Sequence, residues 1–154
     1  MKQNYPLMAV ALGFALVLAP PSLLAAESAG TVKLARGAVS IERGGEQLPA
    51  NVGDALLESD KVVTGADGMA GLTLRDNTRI SVGPGSVLSL DSFAFDTTTH
   101  GGELSAKVHK GSVAVVNGQL AKTSSESVSF STPLATLGVR GTSFVIEVAD
   151  SERQ

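Results

Sequence analysis

The side chains able to do chemistry are few in this chain, and their spacing is sparse. His100 and His109 are the only imidazoles, with Glu103 between them. A metal site needs three ligands converging at close range, and this spacing is too loose to predict one. The histidines are expected in solvent, on a loop and a turn. Asp54, Asp60, Asp67 and Asp76 are carboxylates without the dense acidic spacing of a calcium loop. Each lies in a turn-like context, so capping of turn N–H groups is the expected role. No serine stands in a strand-turn-helix nucleophile pattern, and Lys110-Gly111-Ser112 lacks the upstream glycine of a phosphate loop. No cofactor is expected, and no enzyme activity. Arg140 is the charge that most needs a partner; an internal acid, Asp54 or Asp60, is the expected one, with contact to another protein as the competing role.

The elements that hold these residues read as short strands. Ala135, Leu137 and Val139 alternate with Thr136 and Gly138, and Phe144, Ile146 and Val148 form a second alternating set. Val139 and Phe144 are an odd number of positions apart, so an unbroken strand would turn the two sets to opposite faces. Arg140-Gly141 must reset the phase, with Gly141 as pivot. Upstream, Arg43-Gly44-Gly45-Glu46 reads as a hairpin turn. Ala55–Ser59 reads as a corner in preference to a short helix. Residues 71–74 and 79–82 read as a hairpin with Leu72, Leu74, Ile80 and Val82 inward. Residues 96–102 form a polar loop. Glu103–Val108 and Gly111–Val116 read as two strands separated by a turn at His109-Lys110-Gly111, and residues 122–127 as a serine-rich mobile connector.

About ten strands recurring every 8 to 12 residues, with no sustained helical periodicity, predict one all-β domain over residues 30–149. Its form is a sandwich or roll, or a short irregular solenoid. Ahead of it, Lys2, the apolar run 7–18, Pro20-Pro21 and the small residues Ala25-Ala26 follow the order of a secretory leader over residues 1–26. A cut after Ala26 has Leu24, an acceptable but not ideal residue, two places before it, and a cut after Ser28, with Ala26 at the outer small position, is equally defensible. Residues 150–154 form a polar tail. Cysteine is absent, which excludes disulfides, thiol catalysis and cysteine metal sites. Without Lys2 the chain carries 11 basic against 15 acidic residues, a formal charge of −4. Such a surface does not attract nucleic acid, and membrane contact is expected only if the leader stays uncut.

Three stretches resemble the FecR domain of bacterial envelope proteins. They are Val52-Gly53-Asp54-Ala55-Leu56 with Ser59-Asp60-Lys61-Val62-Val63-Thr64-Gly65, then Leu72–Thr78 with Val82-Gly83-Pro84-Gly85-Ser86, and above all Thr132-Pro133-Leu134-Ala135-Thr136-Leu137-Gly138-Val139-Arg140-Gly141-Thr142-Ser143-Phe144. Gly53, Asp54, Asp60, Thr64, Gly65, Thr132, Pro133, Arg140, Gly141 and Thr142 are the candidate motif residues. The resemblance implies a periplasmic or secreted bacterial all-β domain that engages an envelope protein, here of unknown identity. In the regulators that give the family its name, the domain follows a cytoplasmic segment that controls a sigma factor, and it receives its signal from an outer-membrane receptor. Here only a few residues precede the apolar run, so the envelope module is expected without that segment. The expected function is a non-enzymatic protein-binding module in envelope signalling or assembly, with a ligand- or glycan-binding structural protein as the alternative.

Overall fold

A computed structural model describes residues 26–150; the leader up to Ala25 and the tail beyond Asp150 lie outside the described residues. The fold is all-β, and the described residues form twelve strands in one continuous, curled hydrogen-bonded sheet. They are β1 (Gly30–Arg36), β2 (Val39–Arg43), β3 (Glu46–Pro49), β4 (Ala55–Leu56), β5 (Lys61–Thr64), β6 (Met69–Leu74), β7 (Arg79–Val82), β8 (Val87–Phe95), β9 (Gly102–Val116), β10 (Val128–Ser131), β11 (Thr136–Gly138) and β12 (Ser143–Val148).

The sheet folds over itself because β9 belongs to both of its layers. Its first half pairs with β8 on one side and β10 on the other. Its second half pairs with β7 and β12. One layer thus runs β3-β2-β5-β8-β9-β10-β11 and the other β4-β1-β6-β7-β9-β12. The expected turn at residues 109–111 is therefore a bend within a single 15-residue strand. Leu104, Ala106 and Val108 are buried before the bend, Val113 and Val115 after it. The change of parity keeps the apolar face inward through the corner. Gly111 makes this possible, with φ +85; a Cβ there would stand 2.1 Å from Ser86 Oγ.

Burial alternates where the sequence alternates. Leu72, Leu74, Ile80 and Val82 of the β6-β7 hairpin all face the core. They meet Val32, Ile41, Leu56, Val62, Leu88, Leu90 and Phe130 between the layers. With no tryptophan and few aromatics, aliphatic side chains fill the interior, each contributing about 1.5–3 kcal/mol on burial.

All strand pairs are antiparallel except β9 with β10. Parallel neighbours need a crossover of about a dozen residues or more. Here it contains a short helix, α1 (Gln119–Thr123), and a 3-10 turn at Ser125–Ser127. The expected irregular connector at residues 122–127 is thus partly helical. One helical turn is too short to show periodicity; it is anchored by buried Leu120 and by the Gln119 N–H, which donates to the Asp76 carbonyl at 2.8 Å. Ala55-Leu56 is a strand pairing with β1, in keeping with a β corner over residues 55–59.

Two glycines with positive φ permit a graded test. Gly141 has φ +118 but open space where a Cβ would stand, with no atom within 4 Å, whereas Gly111 has both a positive φ and Ser86 against it. Gly141→Val is expected to cost about 1–2 kcal/mol from backbone strain, and Gly111→Val about 3 kcal/mol or more because overpacking is added. Denaturant titration of both variants checks the order; equal losses would mean that Ser86 yields freely.

Candidate functional site

Most motif residues lie where the chain crosses between layers. Gly53 sits in the turn before β4, and its N–H donates to the Val32 carbonyl at 2.8 Å. Asp54 accepts the Asn51 N–H at 2.8 Å. Thr64, at the end of β5, is buried; its hydroxyl donates to the Gly83 carbonyl at 2.6 Å and accepts the Ser86 N–H at 2.9 Å. The Gly65 N–H donates to the Ala38 carbonyl at 2.8 Å, and its own carbonyl accepts from Gly85 at 2.8 Å. Asp76, fully buried, accepts the Thr78 N–H at 3.0 Å and the Thr78 hydroxyl at 2.7 Å. Asp67 takes the Ala38 N–H at 3.4 Å. These carboxylates close turns, as short acidic side chains do beside free N–H groups.

Asp60 is the exception, because it also holds a cation. Its buried carboxylate accepts the Leu57 N–H at 2.7 Å and both Nε and Nη2 of Arg43 at 2.8 and 2.7 Å. The Arg43 pKa is raised, first by this hydrogen bond, against a smaller opposing effect of burial. The expected pairing of Arg140 with Asp54 or Asp60 is thus corrected. β2 pairs directly with β5, Glu42 opposite Lys61, which brings Arg43 beside Asp60. Arg140 is exposed and forms no ion pair among the described residues.

The carboxy-terminal motif builds a corner. The Thr132 hydroxyl accepts from Ala135 N–H at 3.1 Å and Leu134 N–H at 3.3 Å, closing a turn that contains Pro133. Beyond it, β11 pairs with β10 in one layer and β12 with β9 in the other. Arg140, Gly141 and Thr142 span the gap. Asn117 ties them down: its Nδ2 donates to the Gly141 carbonyl at 2.7 Å and its N–H to the Thr142 carbonyl at 2.8 Å. The phase change between Val139 and Phe144 thus coincides with a change of layer.

This corner leaves apolar surface uncovered. Leu134 is 96% exposed, Val145 63% and Leu137 41%. Leu137, Val145 and half-buried Phe144 border a shallow cleft of about 230 Å³. All three residues of β11 are exposed, and among the described residues β11 and β12 each pair on one side only.

The histidines separate. His100 lies in the exposed 96–102 loop and stacks on Phe95 with centroids 6.2 Å apart. Asp96 caps that loop, accepting from Thr98 and Thr99 N–H at 2.7 and 3.0 Å; the Thr99 and Thr98 bonds hold its carboxyl below the ordinary value. His109 is not on a turn but in β9, half-buried, with Nε2 3.0 Å from Ser89 Oγ. Ser89 Oγ is also 2.8 Å from Asp91 Oδ1. A hydroxyl has one proton, and the carboxylate can only accept it, so Ser89 donates to Asp91 and accepts from His109. A serine nucleophile needs the opposite: an imidazole that accepts the hydroxyl proton and is itself oriented by the acid. Among the described residues, no group of three His, Asp or Glu side chains is placed to hold a metal ion.

Removing the Asp60 carboxylate in Asp60→Ala is expected to cost about 3 kcal/mol, since Arg43 and the Leu57 N–H lose their acceptor. Arg140→Ala should change stability by less than about 0.5 kcal/mol; denaturation of the two variants side by side checks the reassigned pair. His109 has a lowered pKa, from burial first and then from Lys107 and Lys61. The unfolded chain therefore takes up its proton at a higher pH than the folded one, so stability falls as pH drops through about 6.5 and levels off below the folded value. Melting scans across this range should show a smaller fall for His109→Gln.

Comparison with curated proteins and with solved structures finds no match. The family model described as FecR protein matches residues 60–154. That span runs from Asp60 through the bend of β9 to the exposed corner, and it covers more than half of the sequence. The chain belongs to the FecR family.

Proposed function

We propose that this domain is a non-enzymatic protein-binding module of the bacterial envelope, taking up an extended segment of a partner along the free edges of β11 and β12. Family membership associates the chain with envelope signalling. Among the described residues, no helix is long and apolar enough to cross a membrane. The observation that carries the reading is the exposed apolar corner of Leu134, Leu137 and Val145 beside two unpaired strand edges. Edges are usually blunted by charge, proline or brevity. The β3 edge carries Glu46 and Pro49, and β4 has only two residues. β11 is also short, three residues, but carries no charge or proline, and the six residues of β12 carry one charge, Glu147. Main-chain pairing to such an edge supplies affinity, and apolar contacts on alternate positions supply selectivity.

A second reading, a small-ligand binder, draws on a different cleft of about 490 Å³. Arg79 and Lys122 line it with Thr73, Asn77, Gln119 and Thr142, and no acid does, although the chain is net negative. Its ligand would be anionic and hydroxylated, such as a sugar acid. A melting-temperature rise with glucuronate but not with glucose would favour this reading.

Crosslinking pull-downs from envelope fractions test the first. Wild-type protein should recover a consistent protein partner. Leu137→Asp with Val145→Asp should reduce that recovery about tenfold or more, the equivalent of about 1.4 kcal/mol, with an unchanged circular dichroism spectrum. Repeated recovery of no partner, or undiminished capture by the double variant, would rule out this edge.

A further inference from the structure

We propose that Asn117 is a latent modification site, held unreactive by the fold and converted to an acid when the segment after β9 opens. Asn117-Gly118 is the one asparagine-glycine pair in the sequence. In an unfolded chain such a pair is chemically weak, because the glycine rotates freely and has no Cβ to shield its backbone nitrogen. The Gly118 nitrogen loses its proton to solvent and bonds to Asn117 Cγ, and Nδ2 leaves as ammonia. Water then opens the cyclic imide at either carbonyl, giving aspartate or isoaspartate.

The fold requires both members of the pair. Asn117 Nδ2 and N–H donate to the Gly141 and Thr142 carbonyls at 2.7 and 2.8 Å, tying the carboxy-terminal corner to the end of β9. A Cβ on residue 118 would stand 2.2 Å from the Asp76 carbonyl oxygen and 2.4 Å from the Thr78 nitrogen. A bulkier residue that would slow the reaction therefore has no room there.

The same contacts hold the pair out of reaction. Asn117 is 6% exposed. The Gly118 N–H donates to Thr78 Oγ1 at 3.0 Å in buried surroundings, and that hydroxyl is itself fixed by donating to Asp76 at 2.7 Å. The attacking nitrogen thus keeps its proton engaged away from solvent, while the leaving amide is pinned to Gly141. Ring closure needs both atoms freed and brought into line, so it proceeds from the open population. The product does not fit the closed form. One carboxylate oxygen would face the Gly141 carbonyl where Nδ2 donated, and Oδ1 is already buried without a partner. Arg79 and Lys122 border the adjoining cleft, yet neither hydrogen-bonds to Oδ1. A carboxylate there meets an acceptor in place of a donor, and its charge is uncompensated. Conversion therefore releases residues 141 and 142 and leaves a permanent mark of the opening.

Peptide mapping by mass spectrometry tests this on the full chain, kept native and in guanidinium chloride at the same mildly alkaline pH. When half of the unfolded chain has become acid at residue 117, the native chain should carry that acid at least about tenfold less often. Asn51 and Asn77 are exposed but precede β-branched Val52 and Thr78, so they should convert more slowly than Asn117 in the unfolded chain. Equal conversion of Asn117 in the two conditions, or faster conversion of Asn51 or Asn77 in the unfolded chain, would overturn the proposal. Asn117→Asp makes one product directly and supplies a second measurement. It should melt lower than wild type by about 3 °C or more, or fail to fold; equal melting would mean that the closed form accepts the acid and that no mark of opening is left on the corner.

Discussion

The fold depends on one strand changing layers without losing its inward face. β9 pairs with β8 and β10 before Gly111 and with β7 and β12 after it. If it ran straight, the sheet would stay open and one whole apolar face would meet water. The bend needs a residue with positive φ, and it also needs that residue to lack a Cβ, because Ser86 occupies the space where one would be. Ser86 is more than a packing neighbour: its hydroxyl oxygen accepts the Ser112 N–H at 2.9 Å, satisfying a donor that lies just beyond the bend. The same serine receives support from Thr64, whose hydroxyl accepts the Ser86 N–H. Gly111, Ser86 and Thr64 thus form a chain of dependence running from β9 through the β7-β8 turn to β5.

The other crossings and turns are held by polar groups in the same manner. Without disulfides, each passage between layers must satisfy its own backbone donors and acceptors. Asp60 with Arg43, Asp76 with Thr78, and Asn117 with Gly141 each place a side chain where regular pairing stops. These contacts are directional in a way that aliphatic burial is not, so they specify which turns form while the Val, Leu and Ile side chains supply most of the driving force.

Alternation made much of this fold legible from sequence. The inward set of the β6-β7 hairpin and the all-β class follow from a period of two interrupted by turn residues. The bend in β9 was legible by the same parity argument that applies at Gly141, since Val108 and Val113 are also an odd number of positions apart. His109-Lys110-Gly111 has the composition of a turn, and that composition outweighed the phase information. The parallel pairing of β10 had no local signal, because the crossover before it determines strand direction and its helix is a single turn. Arg43 with Asp60 was hidden for another reason: an ion pair 17 positions apart depends on β2 lying beside β5, which only the topology supplies. The exposed corner escaped prediction because an apolar alternation at residues 135–139 reads as buried, while the only residue of that set that is fully buried is Val139.

That mismatch connects the family motif to the proposed surface. Thr132 closes a turn and Asn117 holds Gly141 and Thr142, so polar contacts fix the two ends of the segment from residue 131 to 143, and Val139 anchors it in the core. Leu134 is 96% exposed and Leu137 41%, so neither is among the buried residues of the core. An edge so fixed loses little conformational freedom when a second strand pairs with it, which lowers the entropic cost of association. Polar fixation of the backbone together with apolar side chains left in solvent is the combination expected of a surface shaped to receive another chain.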